Sequence, residues 1–256
     1  RHTPVGIDGL DALCGGGLAT GAGVLLKHDG RVNLRALFGA LIASAVGDGR
    51  SIVLSPTARA RQADVAAVLD GFGFDLEALI ADGRLFVLDF IGSWDADRDA
   101  VHAGFDDAAA VIDALGAIDD RIDEGTPTLG LFDADALTTA LGADGARTVR
   151  YEQEAALDRE DLLVHVHDEG VVGDEISDFY VNTAEQVLET WLSDDGLQYV
   201  SLRKSPCGFV GTTSLVEYAE GPPYLRVQHP PTDRDNPYAS EKRSERESEN
   251  ESEDGG

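Results

Sequence analysis

The segment KHDGRVNLRAL, residues 27–37, carries residue types that could hold an anion. It follows an apolar run, GVLLKH, which predicts a strand, and it leads into a helical pattern with no early helix breaker. Arg31 and Arg35 are one helical turn apart at the predicted helix start, where free backbone N–H groups attract anions. Two solvated arginines would give the same spacing, so the pattern leaves both interpretations open.

Two other clusters have residue types that bind metal ions. His165 and His167 alternate on one predicted strand and are followed by Asp168 and Glu169. The segment DADRDAVHAGFD, residues 95–106, has acids at alternate positions, as calcium loops do, but it lacks their turn glycine and final glutamate. A pair of strand histidines near an acidic turn and a solvated acidic loop are the simpler interpretations, so we expect no metal.

The strands and helices that position these residues are indicated by short apolar runs, which alternate with helical patterns. The strand predictions are GVLLKH, SIVLSP, RLFVLDF, TLGLFD and DLLVHVH, which are mostly continuous in apolar content, as buried parallel strands are. The helix predictions are about 33–47, 58–70 and 105–123. Strands alternating with helices predict an α/β fold with a mostly parallel sheet and helices on both faces.

The carboxyl-terminal part of the chain follows a different pattern. The segment QVLETWLSDDGLQYVSLRKS has two β-rich runs around a turn at Asp195 and Gly196, which predicts an antiparallel hairpin, and TTSLVEYAEGPPYLRVQ could add one or two strands. From about residue 229 the chain is rich in proline, serine and glutamate and nearly free of apolar residues. We therefore predict one domain over residues 1–228 and an acidic disordered tail over 229–256.

The composition limits the partners of the protein. The 256 residues are 43% hydrophobic, and 48 acidic against 20 basic residues give a formal net charge of −28. Such a surface repels phosphate backbones, so we do not expect nucleic acid as a partner. An acidic surface of this kind is also typical of proteins from salt-loving organisms.

We find no apolar stretch of the roughly 20 residues that a membrane span needs. Cys14 and Cys207 lack metal-ligand spacing and predict reduced thiols in the cytoplasm.

The first stretch, TPVGIDGLDALCGGGLATGAGVLL, resembles the entry to ATPase domains of the KaiC type in the RecA superfamily. An ordered series of residues carries this resemblance, which covers residues 1 to about 228: Gly6, Gly9, Leu10, Asp11, Leu13, Gly15, Gly16, Gly17, Leu18 and Gly21. The terminal hairpin also looks like that family. The resemblance implies a RecA-like P-loop fold with a nucleotide site at residues 28–35.

That site departs from the family's Gly-x-x-x-x-Gly-Lys-Ser/Thr pattern. Counted without gaps from Gly21, its two glycines fall on His28 and Asn33, its lysine on Leu34 and its hydroxyl on Arg35. Leucine cannot neutralise phosphates, and arginine cannot ligate Mg²⁺. The vestigial nucleotide-binding residues that the resemblance implies are Gly30, Arg31, Asn33, Leu34, Arg35 and Asp133.

The other catalytic parts are only partly present. Where the family has a glutamate after its second strand, residues 55–58 include Thr57 but no carboxylate, and the next acid is Asp64. Asp133 ends TLGLFD, where the resemblance implies an aspartate that faces the nucleotide metal. A strand-end aspartate is also a common helix cap, so both roles stay open.

Two hypotheses follow for function. The first is a KaiC-like protein that is no longer an enzyme, has no cofactor, and acts as a regulatory or scaffolding partner of another protein or of further copies of itself. The second is a nucleotide-binding sensor or weak ATPase that holds ATP and Mg²⁺ through Arg31, Arg35 and Asp133 in a non-standard P-loop.

Overall fold

The computed structural model describes residues 1–57, 61–95 and 99–231, which form twelve strands and seven helices. The strands are β1 (His2–Thr3), β2 (Leu18–Ala19), β3 (Gly23–His28), β4 (Ser51–Leu54), β5 (Leu85–Asp89), β6 (Val101–Ala103), β7 (Thr128–Asp133), β8 (Leu162–Asp168), β9 (Gln186–Leu192), β10 (Gln198–Lys204), β11 (Thr213–Tyr218) and β12 (Leu225–Val227). The helices are α1 (Asp8–Leu13), α2 (Arg35–Gly47), α3 (Gln62–Gly71), α4 (Leu76–Ala81), α5 (Ala108–Asp119), α6 (Ala134–Ala155) and α7 (Asp174–Thr183).

Ten strands form one sheet in the order β12-β11-β10-β9-β3-β8-β7-β4-β5-β6. Every pairing from β9 through β3 to β6 is parallel, whereas β9 to β12 pair antiparallel. The other two strands, β1 and β2, form a small antiparallel ribbon. The observed sheet therefore confirms the prediction of a mostly parallel α/β sheet with an antiparallel carboxyl-terminal extension.

Alternate residues of the buried strands belong to hydrophobic cores on opposite faces of the sheet, because successive side chains of a strand point to opposite faces. In β5, Leu85 and Val87 pack with α2, α3 and α4, while Phe86 and Leu88 pack with α5 and α6. Helix α7 covers the second face near β3, where Tyr180 packs with Leu25. Both faces are thus covered, which is why these strands are apolar throughout.

The structure adds elements to those that the sequence pattern indicated. Helix α6 was not predicted, because two glycines interrupt its pattern, and its backbone is kinked at Gly142 with φ +73°. Within the predicted acidic loop 95–106, Val101–Ala103 forms edge strand β6 beside β5, and residues 96–98 lie outside the described residues. Of the predicted helix 58–70, residues 58–60 are likewise not described.

The described chain ends shortly after the last strand. Strand β12 ends at Val227, and the predicted tail lies outside the described residues from residue 232 onward. Among the helices of the described chain, none is long and apolar enough to cross a membrane.

Candidate functional site

A cavity of about 300 Å³ lies at the carboxyl ends of the central parallel strands, where open α/β sheets bind their ligands. The ends of β3, β7 and β8 and the first turns of α2 and α6 surround it. Its lining residues are His28, Leu34, Thr57, Phe90, Ile91, Asp133, Asp135, Ala136, Thr139, Ala140, Val166, Asp168 and Val171.

The loop between β3 and α2 bonds its backbone donors to its own side chains. The Gly30 N–H donates to His28 Nδ1 at 3.0 Å, and the Arg31 N–H donates to Asp29 Oδ1 at 2.9 Å. At the helix start, the Arg35 N–H donates to Asn33 Oδ1 at 2.9 Å. A phosphate-binding loop leaves such N–H groups free to converge on the anion. Here three of them are already occupied.

Leu34 stands at the start of α2 and belongs to the hydrophobic core. It is only 6% exposed and also forms part of the cavity wall. The position that carries the phosphate-binding lysine in the resembled pattern therefore adds an apolar surface to the cavity.

The three basic side chains near the loop are paired elsewhere. Arg31 Nη2 lies 3.0 Å from Asp29 Oδ2 and also donates to the Leu192 carbonyl, while Arg35 Nη1 lies 3.3 Å from Asp64 Oδ1. Lys27 Nζ lies 2.5 Å from Glu169 Oε1. None of the three lines the cavity. The anion grip that the spacing of Arg31 and Arg35 indicated is not formed in this arrangement.

Gly30 lets a carboxylate approach the loop. Its backbone has φ +73°, and a Cβ atom at this position would lie 2.6 Å from Asp168 Oδ2. Only glycine fits such a backbone and such a contact without strain. The loop glycine thus makes room for a negative side chain at the edge of the cavity.

Asp133 caps helix α6. Its Oδ1 accepts hydrogen bonds from the N–H groups of Asp135 and Ala136, both at 2.9 Å. Burial, together with the nearby Asp135 charge, raises the pKa of Asp133 to about 6, although the two backbone N–H groups and His167 oppose the rise. The cap interpretation thus has direct geometric support.

The cavity is negatively charged. Three of its lining residues, Asp133, Asp135 and Asp168, are carboxylic acids, and among the residues described around it there is no lysine or arginine. At 4 Å, like charges repel by about 1 kcal/mol in water and about 4 kcal/mol at the effective dielectric near a protein surface. A triphosphate entering this cavity would meet repulsion without compensation from a basic side chain.

A hydrogen-bonded chain that sequence reasoning missed holds one wall of the cavity. Asp135 Oδ1 lies 2.8 Å from His167 Nδ1, and His167 Nε2 lies 3.0 Å from Ser177 Oγ. Asp135 Oδ2 accepts the Asp168 N–H at 2.6 Å. The chain joins β8 to α6 and α7 and positions Asp168 against the loop. No local pattern indicated it, because its partners lie 10 to 33 residues apart.

The second predicted histidine has a separate partner. His165 Nε2 lies 2.9 Å from Gln153 Oε1, and complete burial lowers the pKa of His165 well below its usual value, with the Arg150 charge acting in the same direction. Within the described part of the chain, no group of three or more histidine, cysteine or acidic residues could hold a metal ion.

Neither of the remaining sequence candidates supplies a water-orienting carboxylate. Thr57 lines the cavity at the position where the resemblance implies a glutamate. Asp64 lies at the start of α3, where its Oδ2 accepts the Arg61 N–H at 3.4 Å, and it is not a lining residue. Of the six vestigial residues, only Leu34 and Asp133 meet at the cavity.

Comparison of the sequence with protein-family descriptions gave no match, and no curated protein matched it either. Solved structures do resemble it. The uncharacterized protein PH0321 from Pyrococcus horikoshii, solved in complex with an unknown peptide, has a TM-score of 0.69 at 14% identity, covering 90% of this chain and 100% of that one. The KaiC-like protein PH0186 from Pyrococcus horikoshii has a TM-score of 0.61 at 17% identity, covering 89% and 99%. These similarities confirm the predicted RecA-like fold.

Proposed function

We propose that this chain is a catalytically inactive KaiC-like protein that acts as a regulatory or scaffolding partner in signalling, motility or gene regulation in a halophilic archaeon. One observation carries the proposal. The cavity at the former nucleotide position is lined by three carboxylates and by Leu34, with no lysine or arginine among its described residues, while the neighbouring loop uses its N–H donors internally.

The chemistry of ATP hydrolysis needs groups that this arrangement does not supply. Phosphoryl transfer depends on positioning and on positive charge around the phosphates, from a lysine and from Mg²⁺ that a loop hydroxyl helps to hold. Leu34 and Arg35 replace the lysine and the hydroxyl, and Thr57 stands in place of the base. A protein with this fold and without these groups retains its surfaces for binding other proteins.

The similarity to PH0321 supports a protein partner. That protein was solved with a bound peptide, and its fold covers nine-tenths of this chain. The acidic surface of net charge −28 also disfavours nucleic acid as the partner.

The proposal is tested by calorimetry and a phosphate-release assay in high-KCl buffer with Mg²⁺. We expect no ATPase activity above background. We expect the dissociation constant for ATP to be millimolar, or binding to be absent. Pyrophosphate should bind with similar affinity, and EDTA should change the affinity little. Two matched variants serve as controls, since Asp133→Asn keeps the helix cap and Asp133→Ala removes it.

Micromolar ATP binding that requires Mg²⁺ and is lost in both Asp133 variants would contradict the proposal. The nucleotide-binding sensor that uses Arg31, Arg35 and Asp133 would then replace it. Circular dichroism of each variant separates loss of binding from loss of fold.

A further inference from the structure

A second, larger concavity of about 590 Å³ lies at the opposite end of the sheet. It runs between the carboxyl-terminal halves of α5 and α6, over the amino ends of β7 and β8, which begin at Thr128 and Leu162. We call it the α5–α6 groove. The loop at residues 28–35 follows the carboxyl end of β3, which pairs in parallel with β8, so this loop and the groove lie towards opposite ends of the sheet.

The depth of the α5–α6 groove is apolar. Its floor contains Val53, Leu163 and Phe132, and the Phe132 ring lies against Gly130, where a Cβ atom would come within 2.6 Å of Phe132 Cε2. The side walls carry apolar side chains that the core covers only in part, namely Ile112, Leu115, Ile122 and Leu157. An occupant with apolar side chains would remove these from water.

The rim of the groove is acidic and unpaired. Six exposed carboxylates, none of which forms an ion pair with any residue in the described ranges, surround the opening: Asp119, Asp120, Asp123, Glu124, Glu152 and Asp158. The lining residues that the structure describes include no lysine or arginine. An acidic surface is general in this protein, but here it encloses an apolar depression.

Two helix carboxyl termini add to the negative potential. Helix α5 ends at Asp119 and helix α6 at Ala155, and the residues at or just beyond these ends line the groove. Neither α5 nor α6 has a basic residue in its last turn. Each helix end carries roughly half a negative charge, so both favour a cation in the groove.

One buried polar group in the groove wall lacks a partner. Gln153 is 7% exposed, its Oε1 pairs with His165, and its Nε2 has no hydrogen-bond partner among the described residues. Buried amide donors are almost always satisfied.

We infer that the α5–α6 groove binds a basic amphipathic helix of a partner protein. The apolar face of that helix would lie on the floor between α5 and α6, as a third helix of the layer, and its lysine or arginine side chains would meet the acidic rim. This inference goes beyond the proposed function, because it names the surface and the chemistry of the partner and does not depend on the loss of hydrolysis.

The test uses a fluorescently labelled synthetic peptide of leucine and lysine with helical periodicity, titrated with the full chain in KCl buffer by anisotropy. Gly116 lines the groove from α5 and a Cβ there meets nothing within 4 Å, so Gly116→Phe adds a bulky side chain at the groove with no clash at its Cβ. Gly47, at the exposed end of α2, is equally open, and Gly47→Phe is the matched control. We expect Gly116→Phe to weaken peptide binding at least about tenfold, and Gly47→Phe to leave it unchanged.

A second variant tests the rim without altering the apolar depth. Neutralising four rim acids as Asp119→Asn, Asp123→Asn, Glu124→Gln and Glu152→Gln should weaken binding several-fold and reduce its dependence on KCl. The matched control neutralises four exposed acids of the antiparallel extension, Asp194→Asn, Asp195→Asn, Glu217→Gln and Glu220→Gln, and should bind like the unmodified chain.

The inference would be overturned if the two phenylalanine variants bound the peptide equally, or if a scrambled peptide of the same composition bound as well as the helical one. It would also be overturned if the chain self-associated and Gly116→Phe abolished this, because a second copy would then be the occupant. The same samples are also titrated with ATP. Because neither phenylalanine change lies in the loop at residues 28–35, failure of peptide binding can be distinguished from failure of the proposed function.

Discussion

Asp133 combines a structural role with a position in the wall of the candidate site. Its carboxylate caps α6 and lines the cavity, yet it is 8% exposed and lies beside the Asp135 charge. Burial raises its pKa from 3.8 to about 6, so its ionised form disfavours the fold. The stability that goes with the protonated form is fully present below about pH 4 and is lost as the pH rises through about 6.

We therefore expect Asp133→Asn to stabilise the protein at about pH 8 by at most roughly 3 kcal/mol, and at about pH 5 by roughly half as much. Asparagine keeps the cap and removes the buried charge. Denaturant unfolding of the variant and the unmodified chain at both pH values measures the difference in the free energy of unfolding. Asp133→Ala, which removes charge and cap together, should be about 1 kcal/mol less stable than Asp133→Asn at each pH. An equal gain at both pH values would contradict the pKa assignment.

At the scale of elements, the start of α2 depends on Asn33. Its side chain accepts the Arg35 N–H, its carbonyl accepts the Tyr218 hydroxyl at 2.9 Å, and the first turn of α2 contains no acid. The same bond occupies a backbone donor at a helix start, where anions can bind. The helix start is thus stabilised by a side chain of its own loop.

Asn33→Ala should therefore lower the free energy of unfolding by about 1 kcal/mol, and Asn33→Asp should retain most of the stability, because it keeps the acceptor. Thermal unfolding in high-KCl buffer measures both. Asn182→Ala, an exposed asparagine in α7, is the matched control and should change stability by less than about 0.5 kcal/mol. Equal losses in both Asn33 variants would show that the hydrogen bond from the Arg35 N–H to the Asn33 side chain does not contribute.

At the scale of the whole molecule, charge repulsion opposes the folded state. The net charge of −28 acts against compactness, and salt reduces this repulsion, with a screening length of about 10 Å at 0.1 M and 3 Å at 1 M. We expect the melting temperature to rise steadily with KCl. The variant with four neutralised acids in the antiparallel extension should show a smaller rise, as should the rim variant. A melting temperature independent of KCl would contradict this account.

The sequence alone determined most strands of the sheet, though not the edge strand β6. Continuous apolar runs gave β3 and β7 their bounds, and the turn at Asp195 and Gly196 gave the hairpin of β9 and β10, because strand burial and turn chemistry are local properties. The sequence also indicated that Leu34 stands where the resembled pattern has a lysine, since this depends on residue type alone. Helix α6 was missed because Gly142 and Gly145 weaken its local pattern.

Only the tertiary structure decided which side chains meet at the candidate site. The contact of Asp168 with Gly30 joins residues far apart in the chain, as do the bonds of Asp29 to Leu192 and Asp135 to His167. Sequence periodicity records which face of an element is buried, but it does not record which distant side chains share a space. The α5–α6 groove follows from the spacing of two helices over the sheet, and a distance between elements has no signature in the residues of either one.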